Sequence, residues 1–277
     1  MTSGPQPPVR PAVRVTIAQL EVSDDASANV VVARGAFDEA QRVHADLLVL
    51  PEYASAFDRR GVGAAHAQPL DGPFVSALRE RAAATGVAAL AGVTLPGDEH
   101  DERATNAVVA VDGEGALVGL YRKVHLYDAF GSRESDRLRP GPSDAAPLVL
   151  DVAGLRFGVL TCYDLRFPES ARRLADAGAD VLVVPAAWAD GDLKAMHWRT
   201  LAVARAIENT AAVVAVGMAG KGVVGRSLVV GPDGVVGLEL DERPGIRTVD
   251  LDPAELRGVR AANPSLANRR YAVVPRG

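Results

Sequence analysis

Two short runs constrain this chain more than any other feature: Leu47–Leu50 (LLVL) and Val181–Val184 (VLVV). Neither alternates with polar residues, and each is stopped by a proline, Pro51 or Pro185. A run of this length is short for a helix and offers no polar face to water. It reads as a strand buried on both sides, the habit of parallel sheets whose faces are covered by helices. Segments that supply such cover flank both runs. Asn29–Ala45 has helical spacing through Val32, Ala36, Ala40 and Val43, and Pro73–Thr85 is a helix closed by Gly86. Glu169–Ala177, ending at Gly178, and the long Leu193–Asn209 do the same for the second run.

The remaining segments read as strands and hairpins. In the first half, Val13–Leu20 and Val87–Leu95 are strands. Ala104–Val111 and Ala116–Tyr121 turn around Asp112-Gly113-Glu114-Gly115. In the second half, Leu148–Val152 and Leu155–Thr161 turn over Ala153-Gly154, and Ala211–Val216 is a strand. Arg226–Val230 and Val235–Leu240 turn over Gly231-Pro232-Asp233-Gly234. Gly245–Leu251 is a last strand, Pro253–Val259 a short helix, and Asn263–Gly277 has no clear period. Two such half-chains, alike in pattern but not in residue identity, can stack sheet on sheet with helices outside. The expectation is an α/β protein built as a four-layer α-β-β-α sandwich.

Composition narrows the function. At 277 residues and 48% apolar the chain can bury a full core, and a layered α/β fold of this size is commonly one domain. The start, MTSGPQPPVRPA, carries four prolines and no apolar centre. It reads as a flexible leader over 1–12, not a signal peptide, before a single domain over 13–277. A net charge of −5 argues against nucleic-acid and polybasic membrane binding. No apolar run approaches the roughly 18 residues that span a membrane. One cysteine excludes an intramolecular disulfide and fits a reducing cytoplasm.

That cysteine, Cys162, lies in LRFGVLTCYDLRFPES, where an apolar run ends and a helix opens at Pro168. Position alone leaves two readings, a small buried apolar residue or a nucleophile at a strand-to-helix turn. Two other residues stand likewise at ends of apolar strands, Glu52 and Lys123. A ligand in an open α/β sheet binds beyond such ends. A thiolate, an ammonium and a carboxylate together can run acyl transfer. The thiolate attacks a carbonyl and forms a thioester. The amine lowers the thiol pKa and stabilises the oxyanion, and the carboxylate moves protons. Competing constellations are weak. The histidines 44, 66, 100, 125 and 197 show no paired metal spacing. His197 and Asn209, which with Cys162 follow a papain-like order, fall on one helix. Gly225-Arg226-Ser227 lacks the second glycine of a nucleophile elbow.

The runs LTCYDLRFPE, LVLPEY, LYRKVHLYDAF and VVPAAW closely resemble the nitrilase superfamily of carbon–nitrogen hydrolases, over about residues 13–275. The resemblance implies the α-β-β-α sandwich already reached and a Glu-Lys-Cys triad. Glu52 in PEY matches the general base and acid, Lys123 in YRK the lysine that stabilises the oxyanion, and Cys162 in TCYD the nucleophile. Glu134 in SRES is the best match for a supporting acid, and the backbone N–H of Tyr163 for a second oxyanion donor. It implies no metal or organic cofactor, and a homodimer formed through the helix after the cysteine. Tyr163-Asp164 looks like the amidase branches, where true nitrilases more often have Trp-Glu. KVHLYDAFGSRES and PAAWADGDLKAMHWRTLAVARA are most similar to the bacterial deaminated glutathione amidase branch. The implied reaction is hydrolysis of a small carboxylate-bearing ω-amide with release of ammonia. An ω-amidase of α-ketoglutaramate, an N-carbamoyl amidohydrolase, a nitrilase and a catalytically silent interaction protein are the alternatives. Arg226 stands where many members have His. Trp188 follows a strand end and reads either as a pocket wall or as packing. Arg166 and Arg173 are open between a substrate carboxylate and a dimer contact, and Trp198 and His197 read as packing.

Overall fold

The computed structural model describes residues 12–275, so all but Ala12 of the proline-rich leader lies outside the described residues. In chain order the first set of elements is β1 (Val13–Gln19), α1 (Ala26–Arg42), β2 (Leu47–Val49), α2 (Pro73–Thr85), β3 (Ala88–Leu95), β4 (Thr105–Val111) and β5 (Leu117–Arg122). The second set is β6 (Val149–Val152), β7 (Leu155–Val159), α3 (Pro168–Asp176), β8 (Val181–Ala186), α4 (Lys194–Asn209), β9 (Ala212–Gly217), β10 (Leu228–Val230), β11 (Val236–Glu239), β12 (Gly245–Leu251) and α5 (Pro253–Ala262). Helix ends carry the expected local chemistry. Asp25 caps α1 by accepting from the N–H groups of Ser27 and Ala28. Pro73 opens α2, and Gly86 closes it with a left-handed φ of 73°.

The two short apolar runs explain the layering. In β2, Leu47 and Val49 join one apolar cluster while Leu48 and Leu50 join another. In β8, Val181 and Val183 face the same inner cluster, and Leu182 and Val184 face a third. A period of two sends alternate side chains to opposite faces, so both faces of both strands are covered. The inner cluster lies between the sheets, where Ile17, Leu90 and Val108 meet Phe157 and Val214. The outer clusters pack one sheet under α1 and α2 through Phe37, Phe74 and Leu78, and the other under α3 and α4 through Leu174, Trp198 and Ala202. The result is the four-layer α-β-β-α sandwich.

Each sheet has six strands, in the orders β12-β1-β2-β3-β4-β5 and β11-β10-β9-β8-β7-β6. The centres are parallel (β1, β2, β3 and β7, β8, β9) and the edges antiparallel. One strand departs from the half-by-half division: β12 leaves the second half and pairs antiparallel with β1, Val13 opposite Leu251 through Gln19 opposite Gly245. The buried Gln19 side chain sits where the chain changes sheets. Its amide donates to the carbonyls of Asp241 and Arg243 at 2.7 and 2.6 Å, and its oxygen accepts from the N–H and hydroxyl of Ser227 at 2.7 and 2.8 Å. Both protons and both lone pairs of the amide are thereby used. Among the described residues no helix is long and apolar enough to cross a membrane.

Candidate active site

Glu52 follows β2 in the turn Pro51-Glu52-Tyr53 and is 1% exposed. The turn lies flat on β3 because residue 92 is glycine: a Cβ there would fall 2.5 Å from Glu52 Cα and 2.6 Å from Pro51 O. Glu52 Oε1 accepts from Asn106 Nδ2 at 2.7 Å and from Lys123 Nζ at 2.9 Å. Its Oε2 accepts from the backbone N–H of Ala187, just beyond β8 in the other sheet, at 2.6 Å. The carboxyl ends of strands from both sheets therefore converge on one carboxylate.

Lys123 follows β5 and is 2% exposed, a depth at which an ammonium needs compensation. It has two acidic partners, Glu52 and Glu134, with both Glu134 oxygens at 3.0 Å from Nζ. Glu134 stands on a short 3₁₀ turn, Glu134–Asp136, in the loop after β5. It also accepts from the Tyr53 hydroxyl and the Tyr127 N–H. The structure thus brings the loop glutamate against the lysine.

Cys162 opens a 3₁₀ turn, Cys162–Arg166, two residues beyond Leu160 and 7% exposed. Its φ is +48°, a left-handed conformation that costs a non-glycine residue on the order of 1–3 kcal/mol. The turn is held around it. The N–H of Asp164 donates to Thr161 O at 3.0 Å, and the Asp164 carboxylate accepts from the Thr161 N–H at 3.0 Å.

These groups line a cleft of about 270 Å³. Trp188 is both a wall and a packing residue: it lines the cleft, is 3% exposed, and packs against Trp198 at a ring separation of 5.3 Å. Trp198 is fully buried and belongs to the helix layer. The two arginines left open by sequence separate. Arg166 lines the cleft, with its guanidinium 4.8 Å from the Trp188 ring, whereas Arg173 turns away to the carbonyls of Ser143 and Ala145. Arg226 is not among the cleft-lining residues; its side chain reaches Glu242 at 3.5 Å.

The electrostatics differ from expectation at the thiol. Burial pushes Cys162 well above the ordinary thiol range, and the charge of Glu52 pushes it further, against the pull of Lys123. Two carboxylates surround one ammonium, so the floor of the site favours the neutral thiol. Lys123 does pull the thiol pKa down, as expected, but burial and the charge of Glu52 outweigh that pull. Burial also opposes the Lys123 ammonium, yet Glu134 and Glu52 hold it well above the usual lysine range. Burial opposes ionisation of Glu134 too, and Lys123 with the Tyr53 hydroxyl outweighs it, keeping the carboxyl low.

Several residues of the site carried little signal in the sequence. Asn106 stands beside Thr105 at the start of an otherwise apolar strand, and Tyr53 is simply the end of PEY. Asp164 read only as a branch marker, yet its fully buried carboxylate accepts four hydrogen bonds. Lys194, 5% exposed in the first turn of α4, gave no sign at all. Its ammonium touches the Tyr127 hydroxyl at 2.5 Å and lies 3.6 Å from the Phe130 ring centre. Among the described residues no group of three or more His, Cys, Asp or Glu is placed to hold a metal ion.

A buried thiol, carboxylate and ammonium meet where the two sheets of the four-layer sandwich converge, a set of groups with the chemistry for acyl transfer. Comparison with known proteins agrees. The family model described as Carbon-nitrogen hydrolase matches residues 14–261. The chain belongs to that family and is a hydrolase of carbon–nitrogen bonds other than peptide bonds. It is 38% identical over 260 residues to the deaminated glutathione amidase of Escherichia coli O157:H7, covering 93% of this chain and 97% of that one. Among solved structures it is similar to a CN-hydrolase superfamily protein of Xanthomonas campestris with an arsenic adduct in its active site. That likeness has a TM-score of 0.84 and 29% identity, covering 95% of this chain and 99% of the other. An E41Q mutant of the amidase from Nesterenkonia sp. AN1, with acrylamide added to its active-site cysteine, matches with a TM-score of 0.75. Its identity is 31%, and the match covers 90% of this chain and 97% of that one.

Proposed function

We propose that this chain is a cysteine amidase acting on a small carboxylate-bearing amide, with deaminated glutathione as its substrate. The observation that carries this reading is the buried Lys123 held between Glu52 and Glu134 beside the chain's one thiol. Glu52 takes the thiol proton as Cys162 attacks the carbonyl carbon. Lys123 and the Tyr163 N–H hold the oxyanion. Glu134 shares one Nζ proton between its two oxygens, which with the Glu52 bond leaves a third for the substrate. Glu52 then gives its proton to the departing nitrogen, and a thioester remains. Water enters, Glu52 takes its proton, and collapse of the second tetrahedral intermediate expels the thiolate, which Glu52 reprotonates.

The neutral resting thiol suits this scheme, because Glu52 removes the proton only as attack proceeds. Ammonia departs from a primary amide. Deaminated glutathione has no primary amide, so the leaving group there is the amine of the cysteinylglycine portion. Two cations of the cleft support an acidic substrate. Neither Lys194 nor Arg166 is ion-paired with a carboxylate among the described residues, and the buried Arg166 Nε has no hydrogen-bond partner. Burial and the Arg166 charge depress the Lys194 pKa, and an arriving carboxylate relieves both costs. Trp188 walls the acyl portion.

The test is kcat/KM across deaminated glutathione, α-ketoglutaramate, an N-carbamoyl amino acid and a nitrile matched to the preferred amide. The amide should lead its nitrile by at least about a hundredfold, roughly 2.7 kcal/mol. Equal rates or a nitrile preference overturn the assignment. Lys194→Met should raise KM for the acidic amide far more than for its neutral ester.

We also propose a homodimer through α3 and residence in a reducing cytoplasm, which keeps a lone thiol nucleophile reduced. Within α3, Leu174 faces inward. It is 4% exposed and packs into the chain's own helix layer.

A further inference from the structure

Asp164 is two residues beyond the nucleophile and has no exposed surface. A buried carboxylate is costly unless its lone pairs are filled, and here all four donors come from residues next to catalytic groups. Oδ1 accepts from the backbone N–H of His125 at 3.1 Å and bonds His125 Nδ1 at 2.7 Å. Oδ2 accepts from the Tyr121 hydroxyl at 2.6 Å and from the N–H of Thr161 at 3.0 Å. The Tyr121 oxygen in turn accepts from the Val124 N–H at 3.4 Å. Tyr121, Val124 and His125 bracket Lys123 in the first sheet, and Thr161 precedes Cys162 in the second. The His125 ring is fixed from its other face by Phe167, stacked at 3.8 Å and 10°.

We propose that Asp164 is a positioning residue for the reaction, which locks the Lys123 strand end of one sheet to the Cys162 turn of the other. It acts in two ways. It sets the distance between the oxyanion donor and the nucleophile, because its bonds leave neither segment free to slide. It also holds Cys162 in the left-handed conformation, through the paired bonds with Thr161. This inference rests on the reading of Lys123 and Cys162 given above.

The chemistry of Asp164→Asn makes the test sharp. The amide is the same size, but one oxygen becomes an N–H donor. Turned one way it faces the Thr161 N–H, and turned the other way the His125 N–H, so donor meets donor in either orientation. The experiment compares wild type, Asp164→Asn, Tyr121→Phe and the double variant, with kcat and KM taken on protein shown to be folded by circular dichroism. Asp164→Asn should lower kcat at least about tenfold with KM within about threefold. Tyr121→Phe should lower kcat about threefold. The double variant should lose no more than Asp164→Asn alone, because the two residues act as one unit. Unchanged kcat in folded Asp164→Asn, or a loss confined to KM, overturns the proposal. If Asp164→Asn does not fold, Tyr121→Phe decides: a kcat drop at constant KM supports the proposal, and wild-type kcat refutes it. Wild-type turnover that is abolished in Cys162→Ala shows that the underlying site reading holds, so its failure is separable from failure of the clamp.

Discussion

The N–H of Ala187 donates to Glu52 Oε2 at 2.6 Å, joining residues 135 positions apart and in different sheets. Lys123 Nζ and Asn106 Nδ2 occupy the other oxygen. Glu52 is therefore held from both halves of the sandwich, and its lone pairs are aimed by backbone and strand positions instead of by a flexible loop. The proton carrier proposed for both acylation and hydrolysis gains from such fixation, since misplacement of a reacting group by about 1 Å can cost on the order of a hundredfold in rate.

The nucleophile can be tested directly. Cys162→Ala removes one sulfur from a site already closed by the Asp164 bonds. Turnover should fall below detection while circular dichroism and the unfolding midpoint stay close to wild type. Mass spectrometry of the wild type quenched during turnover should find an acyl adduct on Cys162. Continued amide hydrolysis by the alanine variant rules this out.

In the proposed mechanism Glu52 accepts the thiol proton, and its charge also raises the thiol pKa. Glu52→Gln should therefore separate the two effects. Amide turnover should be lost, yet the pH midpoint for alkylation of Cys162 by iodoacetamide should move down. In the wild type, alkylation near neutral pH should be slower than for a free thiol. A midpoint that stays put or rises in Glu52→Gln contradicts the charge assignment.

Glu134 holds three groups at once: Lys123, the Tyr53 hydroxyl and the Tyr127 N–H. Glu134→Gln places an amide donor among them and leaves the ammonium half-paired. We expect a loss of about 3 kcal/mol in denaturant unfolding and a fall in kcat of at least about a hundredfold. A stable, fully active variant would show that Glu52 alone suffices for Lys123.

The pH profile of stability follows from the same groups. Glu134 has a lowered folded pKa, so its contribution is present above the unfolded glutamate value near 4.3 and is lost as pH falls through the folded one. Cys162 has a raised folded pKa, so its contribution is present below the unfolded value near 8.5 and is lost as pH rises from there through the folded value. Lys123 behaves in the same sense as Cys162 at higher pH. Thermal unfolding from pH 3 to 10 should show a plateau between about 4.3 and 8.5. In Cys162→Ala the alkaline decline should be weaker, and an identical decline would assign it to other groups.

Gly92 supports the turn that carries Glu52 and is not among the cleft-lining residues. Gly92→Ala drives a Cβ into the backbone of residues 51–53, which cannot yield as a flexible side chain can. We expect about 1–3 kcal/mol of destabilisation and a larger loss in kcat than in KM, because the displaced residue is Glu52. A variant with wild-type kcat would mean that the turn relaxes freely.

Much of this molecule was written locally. The apolar run at Leu47 required a strand covered on both faces, Gly86 required the end of α2, and Pro168 required the start of α3; these follow from periodicity and backbone sterics within a few residues. Glu52, Lys123 and Cys162 were legible for a related reason, since each stands at a strand's carboxyl end and strand ends can be read from a run and its stop. Only the tertiary structure decided the rest. The exchange of β12 into the first sheet is a long-range pairing with β1, accompanied by Gln19 and Ser227, 208 positions apart, using each other's donors and acceptors. The sign of the thiol shift depends first on burial and then on the charge of Glu52 against that of Lys123, which only the folded arrangement sets. Asp164 and Lys194 had no local mark because burial and opposing charge are properties of neighbours from other strands and loops. A pattern along the chain fixes which way a side chain faces, and folding alone fixes what it faces.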